Sequence, residues 1–266
     1  MNNINIKKYF KIFFVAFFFF VSNSQMVLGS SSDGIKIPKI SLDLKETDDP
    51  EDLVPALKIL VGLTILSVAP AIVLMMTSFT RIIVVLSFLR QAMGTVNMPP
   101  NQVMIGIAMF LTYFTMGHVI DDVVKNAYKP YVDKLITQDQ AIEAASIPVK
   151  KFMVSQTREN DLALFQSLRT KNAREELKDI PNVTDPDLSI LVPAFLVSEL
   201  KTSFQIGFLI YIPFLIIDMV ISSVLMAMGM VMLPPVVISL PFKIVLFVLI
   251  DGWSLITENL VLSFNR

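Results

Sequence analysis

Met226, Met228, Met230 and Met232 alternate along the chain, with Gly229 and Val231 among them and Pro234-Pro235 closing the run. Thioethers offer two kinds of chemistry. They select soft cations such as copper(I), and their unbranched, polarizable chains conform to contents of varied shape. On a helix, residues two apart are turned by about 200° from one another, so the four would scatter around the axis. Gly229 and the proline pair argue against one helix through all four. The expectation is a helix that stops near Gly229 and a short loop that carries Met230 and Met232. The plain alternative is that all four only fill a core or face lipid.

The same stretch, residues 195–253, holds Glu199, Lys201, Asp218, Lys243 and Asp251 as its only charges. An unpaired charge at the centre of a bilayer costs about 3 kcal/mol or more on insertion scales. Asp218 and Lys243, each in the middle of an apolar run, must therefore pair, within the chain or across subunits, or avoid lipid. Glu199 and Lys201 stand at the entry to their run, where a simple boundary charge is an equal alternative. Asp218 and Asp251 could in principle form a carboxylate dyad of the aspartyl-protease kind, but no catalytic motif surrounds either residue. There is no Cys, and His118 is the only histidine. Thiol chemistry, zinc–thiolate sites and a multi-histidine metal site in one chain are thereby excluded. With no phosphate loop or Ser/His/Asp pattern either, the reading is a non-enzyme without cofactor or metal.

The elements that must position these residues are those of a membrane protein. The chain has 266 residues, 54% of them hydrophobic and 17% charged, with a mean hydropathy of +0.65. A soluble domain carries about a quarter charged residues. The net charge of −1 offers no basic face for nucleic acid.

Residues 1–24 read as a secretory signal, with Lys7, Lys8 and Lys11 before an apolar run at 12–21 and small residues near Ser24. An uncleaved anchor is the alternative. Residues 25–52 form an acidic, solvated lead-in, with Asp48, Asp49, Glu51 and Asp52 at its end. Residues 53–120 form a first hydrophobic pair of helices, spanning at 53–76 and 102–120. Arg81 and Arg90 lie between them with no acid, which places that connection on the cytoplasmic side. A helix is expected at 79–93, ending before Met98-Pro99-Pro100.

Residues 121–190 differ in kind, with twelve acids and ten bases in 121–187. Helical patterning at 139–145 and 161–178 makes this a small helical insert, outside the cytoplasm by the span count. Residues 191–266 hold the second hydrophobic pair, at 204–226 and 236–261, with Pro213 and Pro241 expected to break it. The fold class is all-α and membrane-integral: kinked apolar helices with an extracytoplasmic helical insert.

Two long stretches carry a family resemblance. SELKTSFQIGFLIYIPFLIIDMVISSVLMAMGMVMLPPVVISLPFKIVLFVLIDGW closely resembles the C-terminal signature of the FliP family of flagellar biosynthetic proteins, and MTSFTRIIVVLSFLRQAMGTVNMPPNQVMIGIAMFLTYFTM is similar to its N-terminal signature. The resemblance covers essentially the whole chain after the signal. It implies a core subunit of the flagellar type III export gate, at the basal body in the bacterial inner membrane, assembled into a helical ring-like array. Implied partners are copies of itself, FliQ-like and FliR-like gate subunits, and FlhA-like and FlhB-like export components. Unfolded flagellar proteins would be its cargo.

The family's methionine-rich gasket loop matches Gly229, Met230, Val231 and Met232. Val231 stands where the family commonly has a third methionine. Met226 and Met228 stay closer to core fillers, with a secondary pore role as the alternative. Glu199, Lys201, Asp218, Lys243 and Asp251 become intersubunit or buried charges. The competing readings are an injectisome gate subunit, a small-solute or copper transporter, and a membrane anchor whose insert binds partners. No inverted repeat relates residues 53–120 to 195–261, as many transporters would show.

Overall fold

The computed structural model describes residues 60, 62–64, 67–68, 71–72, 74–95, 98–172, 186–230 and 232–264, and every regular element among them is helical. The signal at 1–24, the lead-in at 25–52 and most of the expected span at 53–76 lie outside the described residues. Ala69–Arg266 forms one compact unit, separate from Met1–Val68.

Helix α1 (Phe79–Ala92) opens the described core and matches the expected helix within a residue. Arg81, Ile82, Val85, Leu86, Leu89 and Ala92 are buried, a stripe at helical spacing that faces the rest of the fold. After a turn through Gly94, at φ 77°, α2 (Asn101–Thr115) buries Met104, Ala108, Met109 and Thr112. The Ser78 and Thr115 hydroxyls hydrogen-bond at 2.6 Å and tie the start of α1 to the end of α2.

The insert follows as α3 (Gly117–Val123), a π-helical turn (Val124–Tyr128), α4 (Lys129–Val132), α5 (Gln138–Gln156) and α6 (Glu159–Asn172). A capping box starts α5: Gln140 N–H donates to the Thr137 hydroxyl at 3.4 Å, and Thr137 N–H donates to Gln140 Oε1 at 3.0 Å. That cap and its packing carry α5 past Pro148 to Gln156, well beyond the patterning at 139–145.

Helix α7 (Leu188–Ala227) is the spine of the unit, with 40 residues. At about 1.5 Å per residue it is about 60 Å long, twice the hydrocarbon thickness of a bilayer. Asp187 caps it, accepting from Ser189 N–H at 3.2 Å. The Arg169 guanidinium donates to the same carboxylate at 3.0 Å, and together these bonds hold the Asp187 carboxyl below its usual range. The first half of α7 is the core, where Leu191 and Phe195 share one apolar cluster with Ile82 and Leu86 of α1, Phe152 and Met153 of α5, and Leu260 near the C-terminus. Beyond Gly207 only Phe214 and Leu225 are buried, and Phe208, Leu209, Ile216, Met219, Val220 and Val224 stand exposed.

Gly207 is required by packing. A Cβ there would lie 2.6 Å from the Phe88 ring of α1. Gly207→Ala is expected to push α1 off α7 at a cost of about 1–3 kcal/mol, read as a lower melting temperature of the detergent-solubilised chain.

Two helices complete the chain, α8 (Pro235–Leu249) and α9 (Gly252–Leu262). The breaks are not where proline predicts. Helix α7 runs unbroken through Pro193 and Pro213, and α8 through Pro241. Proline removes one backbone bond, a loss that a long apolar helix with its other bonds intact tolerates. The bends fall instead between α2 and α3, at 59°, and between α8 and α9, at 65°. At the second, Asp251 adopts the left-handed conformation, φ 49° and ψ 53°, which acids tolerate better than most residues. Among the described residues, one helix, α7, is long and apolar enough to cross a membrane, or up to three spans if each bent pair counts as one.

Candidate functional site

The α7–α8 hairpin presents its methionines by a specific stop signal. Helix α7 ends in a Schellman motif: Gly229 N–H donates to Met226 O at 3.0 Å and Met230 N–H donates to Leu225 O at 2.9 Å. Gly229 takes φ 75°, which costs a residue without Cβ nothing. The chain then turns out of the helix axis, and Pro235 restarts it at the first position of α8, where a missing N–H is harmless. Met232 is 96% exposed and Met230 47% exposed. Met226 and Met228 are exposed as well, so neither fills the core of this chain. Val231 lies outside the described residues.

Below the loop, α8 is fastened to α7 by charge. Lys243 Nζ donates to Asp218 Oδ2 at 2.7 Å, and the Ser239 hydroxyl donates to Asp218 Oδ1 at 2.5 Å. Lys243 also donates to Ala92 O at 3.3 Å, at the end of α1. The buried residues of α8 are Ser239, Lys243 and Phe247, one stripe with this cluster at its centre. The partner of Lys243 is thus an acid of its own chain. Asp251 is not brought to Asp218. It sits exposed at the α8–α9 bend, two helical turns beyond Lys243, so the two acids form no dyad.

The second charged cluster lies in the first half of α7 and centres on a residue that sequence reasoning placed elsewhere. Arg81 is 2% exposed and Glu199 is fully buried. Arg81 Nε donates to Glu199 Oε2 at 2.8 Å, and Nη2 donates to Glu199 Oε1 and, at 3.1 Å, to Gln156 Oε1. Nη1 donates to the Ser263 carbonyl at 2.9 Å and to its hydroxyl at 3.0 Å. All five guanidinium N–H groups are therefore used. The Phe264 ring covers the guanidinium face at 3.9 Å. Glu199 is the acid of this node, not a boundary charge.

Arg81 therefore cannot count as a cytoplasmic loop charge, since the positive-inside rule concerns charges free to meet solvent and lipid headgroups. Of the two arginines in that argument, Arg90 alone lies by the connection, donating to Asn101 Oδ1 at 2.5 Å. Lys201 is half exposed and pairs with Asp161 of α6, which is buried. The signal for Arg81 was present: it falls on the apolar stripe with Ile82, Val85 and Leu89, where a charge must find a buried partner.

Comparison with known proteins settles the family. The FliP family model matches residues 62–260. The chain belongs to the FliP family. It is 53% identical over 223 residues to the flagellar biosynthetic protein FliP of Bacillus subtilis, covering 84% of this chain and 98% of that one. The protein of the same name from Aquifex aeolicus is 46% identical over 232 residues, 86% of this chain and 93% of its own. That of Treponema pallidum is 38% identical over 265 residues, 95% and 96% of the two chains. In this FliP-family chain the match takes in the methionine loop, both ends of the Asp218–Lys243 pair and the Arg81–Glu199 pair.

Proposed function

We propose that the chain is a non-enzymatic pore subunit of the flagellar protein-export gate in the bacterial inner membrane. It assembles with copies of itself and with FliQ-like and FliR-like subunits, beside FlhA-like and FlhB-like components, and passes unfolded flagellar proteins. Family membership and relatives named as flagellar biosynthetic proteins support the flagellar branch over an injectisome.

The observation that carries the pore reading is the methionine loop. Gly229 ends a 40-residue apolar helix, and the loop after it projects Met230 and Met232 away from their own chain. Brought together by several subunits, such side chains make an apolar plug that excludes ions yet yields to an extended polypeptide. Nothing covalent or hydrogen-bonded fixes a thioether in place, so the plug can part and close again.

The test is ion leak. Changing Met230 and Met232 together to Ala, or together to Gly, should raise proton and small-ion permeability of membranes holding the assembled complex several-fold, with assembly intact. An unchanged leak in an intact complex would overturn the assignment of the closure to this loop.

A further inference from the structure

We propose that Arg81 is a positioning residue for the methionine hairpin, acting through the C-terminal helix as a latch between the insert and α8. The consequence for a pore rests on the gate reading, whereas the latch itself is a property of this chain.

Helix α8 needs holding at both ends, because its buried face is a single stripe of three residues. Near the loop, Asp218 and Lys243 hold it to α7. At its other end α8 has no such bond among the described residues and runs straight into the bend. A Cβ on Gly252 would lie 2.2 Å from the Phe247 ring, and Trp253 packs on the same ring edge-on at 5.4 Å. Phe247 thus packs closely on Gly252 and Trp253 in the first turn of α9, and that packing couples the direction of α9 to α8.

Whatever holds α9 therefore helps to hold α8. Helix α9 lies in its groove by Gly252, Ile256 and Leu260, one residue per turn, and its end is fastened at the Arg81 node. There Ser263 accepts two bonds from Arg81, Phe264 covers the guanidinium, and the Phe264 carbonyl accepts from Gln156 Nε2 at 3.2 Å. Gln156 is the last residue of α5, in the insert. Phe152 of the same helix stacks on Phe264 with centroids 6.4 Å apart. One guanidinium thus joins the insert, α7 and the C-terminal helix, and the packed bend passes that position on to α8 and its loop. Displacement of the insert by a bound partner would shift the methionines with it.

The chain has no cysteine, so introduced pairs label only where they are placed. Spin labels at Ile147 in the insert and Val237 at the start of α8, both exposed, report the latched distance; Ile147 with Phe208 of α7 is the control. The full chain is measured in its purified assembly, labelled copies diluted with unlabelled ones. The unaltered latch should give one narrow Ile147–Val237 distribution. Phe264→Ala and Gln156→Ala should each broaden it and leave Ile147–Phe208 narrow, and Phe264→Tyr, which keeps a ring over Arg81, should restore it.

If both distances broaden together, the node only stabilises the fold, and the proposal is wrong. It is equally wrong if Ile147–Val237 stays narrow in both alanine variants. Should Phe264→Ala fail to fold, Gln156→Ala decides alone. A narrow latched distance in a chain whose methionine variants do not leak would leave the latch standing and end the closure reading.

Discussion

Glu199→Ala is expected to cost about 3–5 kcal/mol, because it leaves the Arg81 guanidinium buried with its charge uncompensated. Native chains are stable by only about 5–15 kcal/mol, so the variant should give little folded protein. Loss of monodisperse protein in detergent, and rapid cleavage by protease in membranes, would report it. The size of the effect follows from the surroundings. Arg81 is 2% exposed and Glu199 fully buried, and Phe264, itself packed on Phe152, covers the guanidinium, so the stranded cation has little access to water.

Such a pair is costly to break without being strongly stabilising to make, since desolvation offsets most of the attraction. The double change Arg81→Met with Glu199→Met should therefore recover much of the lost stability. It should not recover the latch, because Ser263 and Gln156 lose their donor. A Glu199→Ala chain as stable as the parent would show that the pair is not as buried as its geometry indicates.

The local signals that were legible in the sequence are those set by backbone chemistry. Gly229 followed by Pro234-Pro235 marks a helix stop and restart, and the chain forms both there. The stripe from Ile82 to Leu89 marks α1 with its ends correct to a residue. The bends were not legible, because proline is the louder signal. Pro213 and Pro241 each cost their helix one hydrogen bond, which a long apolar helix absorbs, while Asp251 turns the chain by adopting the left-handed conformation, to which a lone acid in an apolar run gives no clear pointer.

The charge clusters were half legible. Asp218 and Lys243 stand out because each is alone in an apolar run, so a demand for partners is visible even if the partner is not. Arg81 was hidden by a rule that counts basic residues between spans without asking which face of a helix they occupy. Its partners, Glu199, Gln156 and Ser263, are 75 to 182 residues away in the chain. No local pattern joins them. Only the folded insert, laid along the first half of α7, brings them to one place.

Lys243→Ala should act on the hairpin more than on the fold. Removing Nζ leaves Asp218 with the Ser239 hydroxyl alone and frees the Ala92 carbonyl at the end of α1. Asp218 is a quarter exposed and can turn toward its surroundings. The cost therefore falls at the low end for a broken buried pair, about 3 kcal/mol. The core around Phe195 is untouched, so the chain should still fold and assemble. What loosens is the loop end of α8, from which the methionines project. If the chain is the proposed gate subunit, leak should rise although no methionine has changed, and export should fall. The exchanged pair Asp218→Lys with Lys243→Asp should not restore either. An aspartate at 243 would face the Ala92 carbonyl, acceptor against acceptor, and a lysine at 218 would lose the Ser239 donor bond that its predecessor accepted. Full rescue by the exchange would mean that charge alone holds the hairpin; failure of the exchange, with an intact assembly, assigns the fastening to the directed bonds from Lys243 to both α7 and α1.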